Sequence, residues 1–365
     1  MPDAPAADVL SLVPALAPIR PLLDDPTVTE VMVNGPNHVF VERQGSLLPT
    51  EVKFANRAAL EELVRTLAAL VGKEANAESP LVDGRLPDGS RFNAVVAPVA
   101  IDGPALTIRK FRGDVLGGAD LTRVGAWDAR VATFLEACVR ARLNLVVAGG
   151  SGTGKTTMLN VLSSFIPATE RIVTIEDAAE MRLSHANVVR LESRPPSPKE
   201  AGVSTRSLVI NALRMRPDRI LVGECRSGEA LDLLLAMNTG HDGTMTTVHS
   251  NSAREALQRL ESMVLLAGTE LSAKIVRQYV ARAVQIVVQV SRESDGRRRV
   301  SEVIEVGGME GDVVLTQDVF RSEPGRPCVP SRTVPQCTRL MRDRGVLVSP
   351  DVFADRPFTP PVARR

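Results

Sequence analysis

Aromatic residues are scarce in this 365-residue chain: Trp and Tyr occur once each and Phe nine times, 3% in all. An excess of charge of either sign is also lacking, since 44 Lys and Arg face 43 Asp and Glu, a formal net charge of +1. A protein that grips nucleic acid needs a basic stripe for the phosphates or aromatic platforms for the bases. With neither in the composition, no direct nucleic-acid binding is expected. The four cysteines, Cys138, Cys225, Cys328 and Cys337, are scattered without a C-x-x-C spacing. That speaks against a disulfide framework and a zinc site, and it suits a reducing cytoplasm. No apolar run reaches the ~18 residues of a membrane span. The opening Met1-Pro2-Asp3 has no basic n-region, so no secretory signal is expected. No internal repeat is found. Work at a membrane is therefore expected from the cytoplasmic side, through partners.

What is present is ordinary for a globular chain of about two domains: 44% apolar and 24% charged residues. One stretch stands out. Gly149-Gly150-Ser151-Gly152-Thr153-Gly154-Lys155-Thr156-Thr157 fits G-x-x-x-x-G-K-[ST] at every fixed position. It comes after the apolar run Leu143 to Ala148, which reads as a buried parallel strand, and it leads into Met158-Leu159-Asn160-Val161-Leu162, which reads as a helix start. Strand, loop and helix in that order are what a phosphate cradle needs. Backbone N–H groups turn inward around the phosphates and the helix N-terminus adds partial positive charge. Lys155 is placed to reach the β- and γ-phosphates of ATP, and Thr156 to hold Mg²⁺.

Before this loop, residues 8–23 predict a short helix interrupted by prolines. Residues 27–33 and 38–42 around Asn34-Gly35-Pro36-Asn37 predict a hairpin. Residues 56–72 predict an amphipathic helix, with Leu60, Leu63, Val64, Leu67 and Leu70 on one stripe. Residues 81–96 read as strand, turn, strand, and 106–111 as another strand. The expected organisation is a small α+β domain over 1–112, a glycine-rich linker over 113–125, a phosphate-loop domain over 126–322, and an irregular, Pro- and Arg-rich tail over 323–365. Within the second domain, a helix at about 127–141 precedes strands at 171–175, 187–191, 219–222 and 244–248. These alternate with helices at 203–215, 229–237 and 252–266, so a mostly parallel sheet covered on both faces is expected. After a helix near 272–283, residues 284–290 and 299–306 around Asp295-Gly296 predict an antiparallel hairpin, and 313–318 one more strand.

In open α/β sheets ligands sit beyond the carboxyl ends of the strands, so the residues just past each strand matter. Glu176 and Asp177 come directly after the first of these strands, Gly223-Glu224 after the third and His249 after the fourth. Glu224, at the end of an apolar strand, is the candidate general base. Glu176 or Asp177 is a candidate for holding Mg²⁺ through its waters, although both are equally suited to capping the next helix. His249 is a candidate γ-phosphate contact, against the alternative of an ordinary surface or core histidine. Arg85, Arg91 and Arg109 lie near strand ends of the first domain. Surface arginines are mostly solvated, yet an arginine brought to an NTP is a common way to stabilise transferred charge.

These residues together resemble the ATPases of the type II/type IV secretion and type IV pilus superfamily, over roughly residues 20–320. Four ordered motifs carry the resemblance. They are the phosphate loop; Thr174-Ile175-Glu176-Asp177-Ala178-Ala179-Glu180, like the family's acidic Asp box; Leu213 to Arg226, like its Walker B with Gly223-Glu224 in place of Asp-Glu; and Thr239 to Ser250, like its His box. Residues 83–91, 107–111 and 305–320 are most like the CpaF-type branch, which powers tight-adherence (Tad/Flp) pili. The resemblance implies a RecA-like second domain and Mg-dependent ATP hydrolysis, with Thr156, Glu176 and Glu224 around the metal. It further implies a homo-hexamer, ATP between the two domains, and Arg91, Arg109 and Arg85 reaching the γ-phosphate. An inner-membrane platform protein as partner, and a cytoplasmic location at the inner face of the membrane, are implied as well. The departures are small: Ala178 stands where many members have Pro, and Cys225 where many have an aliphatic residue. The tetra-cysteine module of the type II branch and a long N-terminal extension are not seen. Two other readings of the same core are a DNA-transfer motor and a scaffold that senses nucleotide without turning it over.

Overall fold

The computed structural model describes residues 13–43, 45–111, 117–196, 201–293, 295–322, 328–354, 356 and 358. The chain divides into two compact units, residues 1–114 and 115–365. In the first, a 3-10 turn at Pro14–Leu16 and a one-turn helix α1 (Arg20–Asp24) stand where an interrupted helix is expected, and residues 8–12 lie outside the described ones. Strands β1 (Val28–Asn34), β2 (Val39–Arg43) and β3 (Ser46–Pro49) precede helix α2 (Arg57–Leu70). Strands β4 (Leu81–Arg85), β5 (Arg91–Val95) and β6 (Ala105–Arg109) complete an antiparallel sheet ordered β3-β2-β1-β6-β5-β4. Asn56 caps α2 by accepting the Ala59 N–H at 2.9 Å. The α2 stripe then buries Leu60, Leu63, Val64 and Leu67 against Val31, Val33, Val39 and Val41 of the sheet. Strand β3 has no burial alternation to betray it: all four of its residues are exposed, and it pairs with β2 at the edge of the sheet.

The expected linker is partly helical. Residues 112–116 lie outside the described ones, but Gly118–Arg123 forms α3. Trp127 accounts for this, because its indole N–H donates to the Gly118 carbonyl and the Thr122 hydroxyl and ties the segment down.

The second unit is built on a nine-stranded sheet. Its parallel part comprises β7 (Leu145–Gly149), β8 (Ile172–Glu176), β9 (Val188–Glu192), β10 (Arg219–Cys225), β11 (Met245–His249) and β12 (Ile286–Arg292). An antiparallel extension adds β13 (Arg298–Glu310), β14 (Val313–Arg321) and β15 (Val329–Pro330). The order is β15-β14-β13-β12-β7-β11-β10-β8-β9. Strand β7 is buried at every residue, and alternate side chains feed different cores. Leu145 and Val147 pack with α4 (Ala129–Arg140) and α5 (Lys155–Ser163). Val146 and Ala148 pack with α6 (Thr205–Ala212), α7 (Glu229–Asn238), α8 (Ala253–Leu266) and α9 (Ala273–Ala283). A continuous apolar run covered on both faces is the mark of a central parallel strand.

The 323–365 tail differs from the irregular stretch expected. It carries β15, helix α10 (Cys337–Asp343) and a 3-10 turn at Pro350–Phe353. Its prolines hide the periodicity, yet Val352 and Phe353 enter the α4–α5 core. The Phe353 ring stands edge-on to Phe134 at 5.6 Å between centroids. The buried Glu305 carboxylate accepts the N–H groups of Gln336 and Cys337 at the start of α10. Arg344 donates to the Ala141 and Arg142 carbonyls and pairs with Asp242 at 2.6 Å.

Candidate active site

The phosphate-type loop runs from the end of β7 into α5. Gly154 is the N-cap of α5 and has φ 95°, a left-handed conformation that a side chain would strain. The first N–H groups of α5 are thereby left facing the loop, as an anion site requires. Thr153 Oγ1 donates to the Gly150 carbonyl at 3.0 Å, and Lys155 Nζ donates to the same carbonyl at 2.9 Å. The lysine is thus folded back over the loop it serves.

Strands β7, β8, β10 and β11 are parallel and adjacent in register, so their carboxyl ends share one edge with the loop. Glu176 closes β8, Glu224 is the penultimate residue of β10, and His249 closes β11 level with Gly149. Glu176 is 3% exposed. No helix comes directly after β8, so this carboxylate caps no helix; its Oε2 accepts the Glu180 and Met181 N–H groups at 2.7 and 2.8 Å instead. Its Oε1 is enclosed and has no partner among the described residues. Burial pushes the Glu176 carboxyl above its ordinary value, opposed by those two N–H groups and by Arg190.

Gly223 explains how this residue fits beside β10. A Cβ at position 223 would lie 3.0 Å from Glu176 Cγ. The missing side chain of β10 is the space into which the β8 carboxylate packs. Asp177 turns away from that space, accepting the hydroxyls of Thr205 and Ser193. Glu224 is partly exposed, and its Oε2 pairs with Arg226 Nη2 at 2.5 Å; the same guanidinium stands 3.8 Å from Asp177. His249 is exposed, and the next residue, Ser250, is buried and donates its N–H to the Gly149 carbonyl at 3.3 Å.

Two further arginines, neither marked as a site residue by sequence spacing, belong to this edge. Arg226 holds Glu224. Arg298, at the start of β13, donates from Nε to the Gly152 carbonyl at 2.8 Å, a contact across 146 residues that no local spacing signals. In the first unit, Arg85, Arg91 and Arg109 occupy one cross-strand row, Arg85 opposite Arg91 and Arg91 opposite Arg109. Adjacent like charges oppose pairing. Glu30 lies opposite Arg109 on the other side, and the Arg85 guanidinium sits over the Phe111 ring at 5.8 Å. Burial raises the Glu30 carboxyl and the Arg109 charge pulls it down.

The donor set suits Mg²⁺ on a nucleotide. Such a cation takes most of its oxygens from phosphates and water and needs one or two from the protein. Thr156, in the first turn of α5, and the unpartnered Oε1 of Glu176 are oxygens of that kind. Among the described residues no cluster of three or more His, Cys, Asp or Glu has metal-binding geometry.

A parallel sheet whose central strand runs into a phosphate loop, with carboxylates ending the neighbouring strands, defines a phosphate-loop α/β protein. The chain belongs to the type II/IV secretion system protein family, whose model matches residues 14–323. It is 38% identical over 302 residues to a putative conjugal transfer protein of Mycobacterium tuberculosis, covering 81% of this chain and 85% of that one. It is 35% identical over 305 residues to the conjugal transfer protein TrbB of Rhizobium radiobacter, covering 82% and 90%. The solved Legionella pneumophila ATPase DotB shares the fold, with a TM-score of 0.56 at 19% identity over 86% of this chain and 84% of that one. No described helix is long and apolar enough to cross a membrane.

Proposed function

We propose that this chain is the Mg-dependent motor ATPase of a secretion or pilus machine, working as a homo-hexamer. The observation that carries the reading is the buried, unpartnered Oε1 of Glu176 on the sheet edge that also bears Lys155, Glu224 and His249. A lone buried carboxylate oxygen is costly unless a ligand completes it. When ATP arrives, Lys155 exchanges the Gly150 carbonyl for β- and γ-phosphate oxygens, and the α5 N–H groups receive the phosphates. Thr156, Glu176 and Glu224 would hold Mg²⁺, which when bound would supply neutralisation of phosphate charge. Glu224, once Arg226 lets go of it, takes the proton of the attacking water. His249 senses the γ-phosphate, and Arg91, Arg109 and Arg85 meet phosphate charge during turnover.

The purified protein tests this directly. Glu224→Gln is expected to bind ATP and lose turnover by on the order of 10²–10⁴-fold. Lys155→Ala is expected to lose nucleotide affinity, turnover or both. Wild-type rates in either variant refute the assignment.

Within that function we favour assembly of a Tad-like pilus through an inner-membrane platform protein, from the cytoplasmic face. Its support is the resemblance of residues 83–91 and 305–320 to the pilus branch. Transfer of DNA is the second reading, favoured by the names of the two relatives. A deletion strain separates them: loss of surface filaments with normal mating supports the pilus, and loss of mating alone supports transfer.

A further inference from the structure

The buried part of β12, Ile286 to Val290, is aliphatic with one interruption, Gln289, which is 4% exposed. Gln289 lies level with Ala148 on β7, one residue short of the phosphate loop, and with Glu302 on β13. Its Nε2 donates to the Ser250 carbonyl at 3.4 Å, and its Oε1 is enclosed without a partner among the described residues. A residue kept only for packing would be apolar here, since a buried amide group left unpaired costs about 1–3 kcal/mol.

The partner shows what the amide does. Ser250 comes after His249 where the chain leaves β11. Its N–H donates to the Gly149 carbonyl, its hydroxyl donates to the Ser252 carbonyl at 3.1 Å, and Ser252 in turn caps α8. The one remaining main-chain group of Ser250, its carbonyl, is the group Gln289 takes. The turn that sets the direction of His249 is thus pinned twice from the same side of β11, by the end of β7 and, across β7, by β12.

We propose that Gln289 is a positioning residue for His249: its amide fixes the turn at Ser250 and so aims the histidine at the phosphate end of the site. This rests on the hydrolase reading given above. Gln289→Met removes the amide and keeps the length. It is expected to leave the thermal midpoint near that of the wild type, because losing the unpaired Oε1 offsets the Ser250 carbonyl left without its donor. Affinity for a non-hydrolysable ATP analogue stays within about twofold, while kcat falls on the order of tenfold through misplacement of one group. In a His249→Ala background the same change leaves kcat where it was. Hydrogen exchange of the amides of residues 249–252 quickens severalfold in the nucleotide-free variant, a readout that needs no turnover.

The proposal is overturned by an unchanged kcat in Gln289→Met, by losses that multiply with those of His249→Ala, by a His249→Ala enzyme with wild-type turnover, or by unchanged exchange. A wild-type protein without turnover refutes the hydrolase reading instead, and the exchange measurement still decides whether Gln289 orders the turn. If Gln289→Met does not fold, Gln289→Leu, which likewise has no donor and is smaller, carries the same cycle.

Discussion

Adding one methyl group at Gly223 is a sharp probe of the site. The Cβ of Gly223→Ala would stand 3.0 Å from Glu176 Cγ, 3.5 Å from Glu176 Cβ and 3.6 Å from the Ile175 carbonyl oxygen. The first distance is a few tenths of an ångström too short, so one side must move. Glu176 is not free to swing, because two backbone N–H groups hold its Oε2. Overpacking of this kind costs about 1–3 kcal/mol. Replacing glycine returns ~0.4–1 kcal/mol by restricting the unfolded chain. The net expectation is a loss of about 1–2 kcal/mol. Turnover is expected to fall by roughly 10- to 100-fold, because the displaced carboxylate is the one proposed to help hold Mg²⁺. The assay is a cycle of four proteins, wild type, Gly223→Ala, Glu176→Ala and the double variant, each measured by urea unfolding and ATPase rate. In the Glu176→Ala background the methyl group meets nothing at 3.0 Å and its stability cost disappears. Equal cost in both backgrounds refutes the reasoning, as does a Gly223→Ala protein with wild-type stability and rate.

Three further expectations concern stability. Burial raises the folded-state Glu176 carboxyl above 4.5, so the folded protein binds that proton more tightly than the unfolded chain and stability falls as pH rises through the interval above 4.5. Glu176→Gln removes that slope: the nucleotide-free variant gains stability over wild type at pH 7 and gains less at pH 5, and an equal gain at both pH values in thermal unfolding contradicts it. Arg219 is fully buried and is held by Glu170 at 2.5 Å and by the Val139 carbonyl at 2.8 Å. Glu170→Ala strands its charge and is expected to cost about 3–5 kcal/mol in denaturant unfolding, and a loss under 1 kcal/mol is the contrary result. Phe353→Ala opens the Phe134–Phe320–Phe353 contact and is expected to cost about 3–5 kcal/mol, whereas an unchanged midpoint means the tail adds nothing to the core.

Much of this molecule is written locally. Leu145 to Ala148 is apolar throughout because both faces of β7 are covered, and the run of glycines after it reads as a turn into a helix. Such features involve neighbours in sequence, so periodicity and spacing expose them. The two-unit plan, the mostly parallel second sheet and the positions of Glu176, Glu224 and His249 at strand ends were all legible in this way. Strand β3 was not, since its four exposed residues carry no alternation. The tail was not either, because its order comes from Phe353 meeting Phe134 and Cys337 meeting Glu305 across long separations rather than from a repeating pattern.

The chemistry of the edge depended on such meetings. Nothing near Glu176 in sequence says that the absent side chain of Gly223 makes its room, or that one of its oxygens is left without a partner. Arg298 reaches Gly152 and Gln289 reaches Ser250 only because β12 pairs with β7 and carries β13 beside it. Local pattern chose the strands, the helices and the phosphate loop, because those depend on the nearest few residues. Which side chains share the carboxyl edge, and which of them hold one another, was decided by the strand order, because the order alone brings distant residues within hydrogen-bond reach.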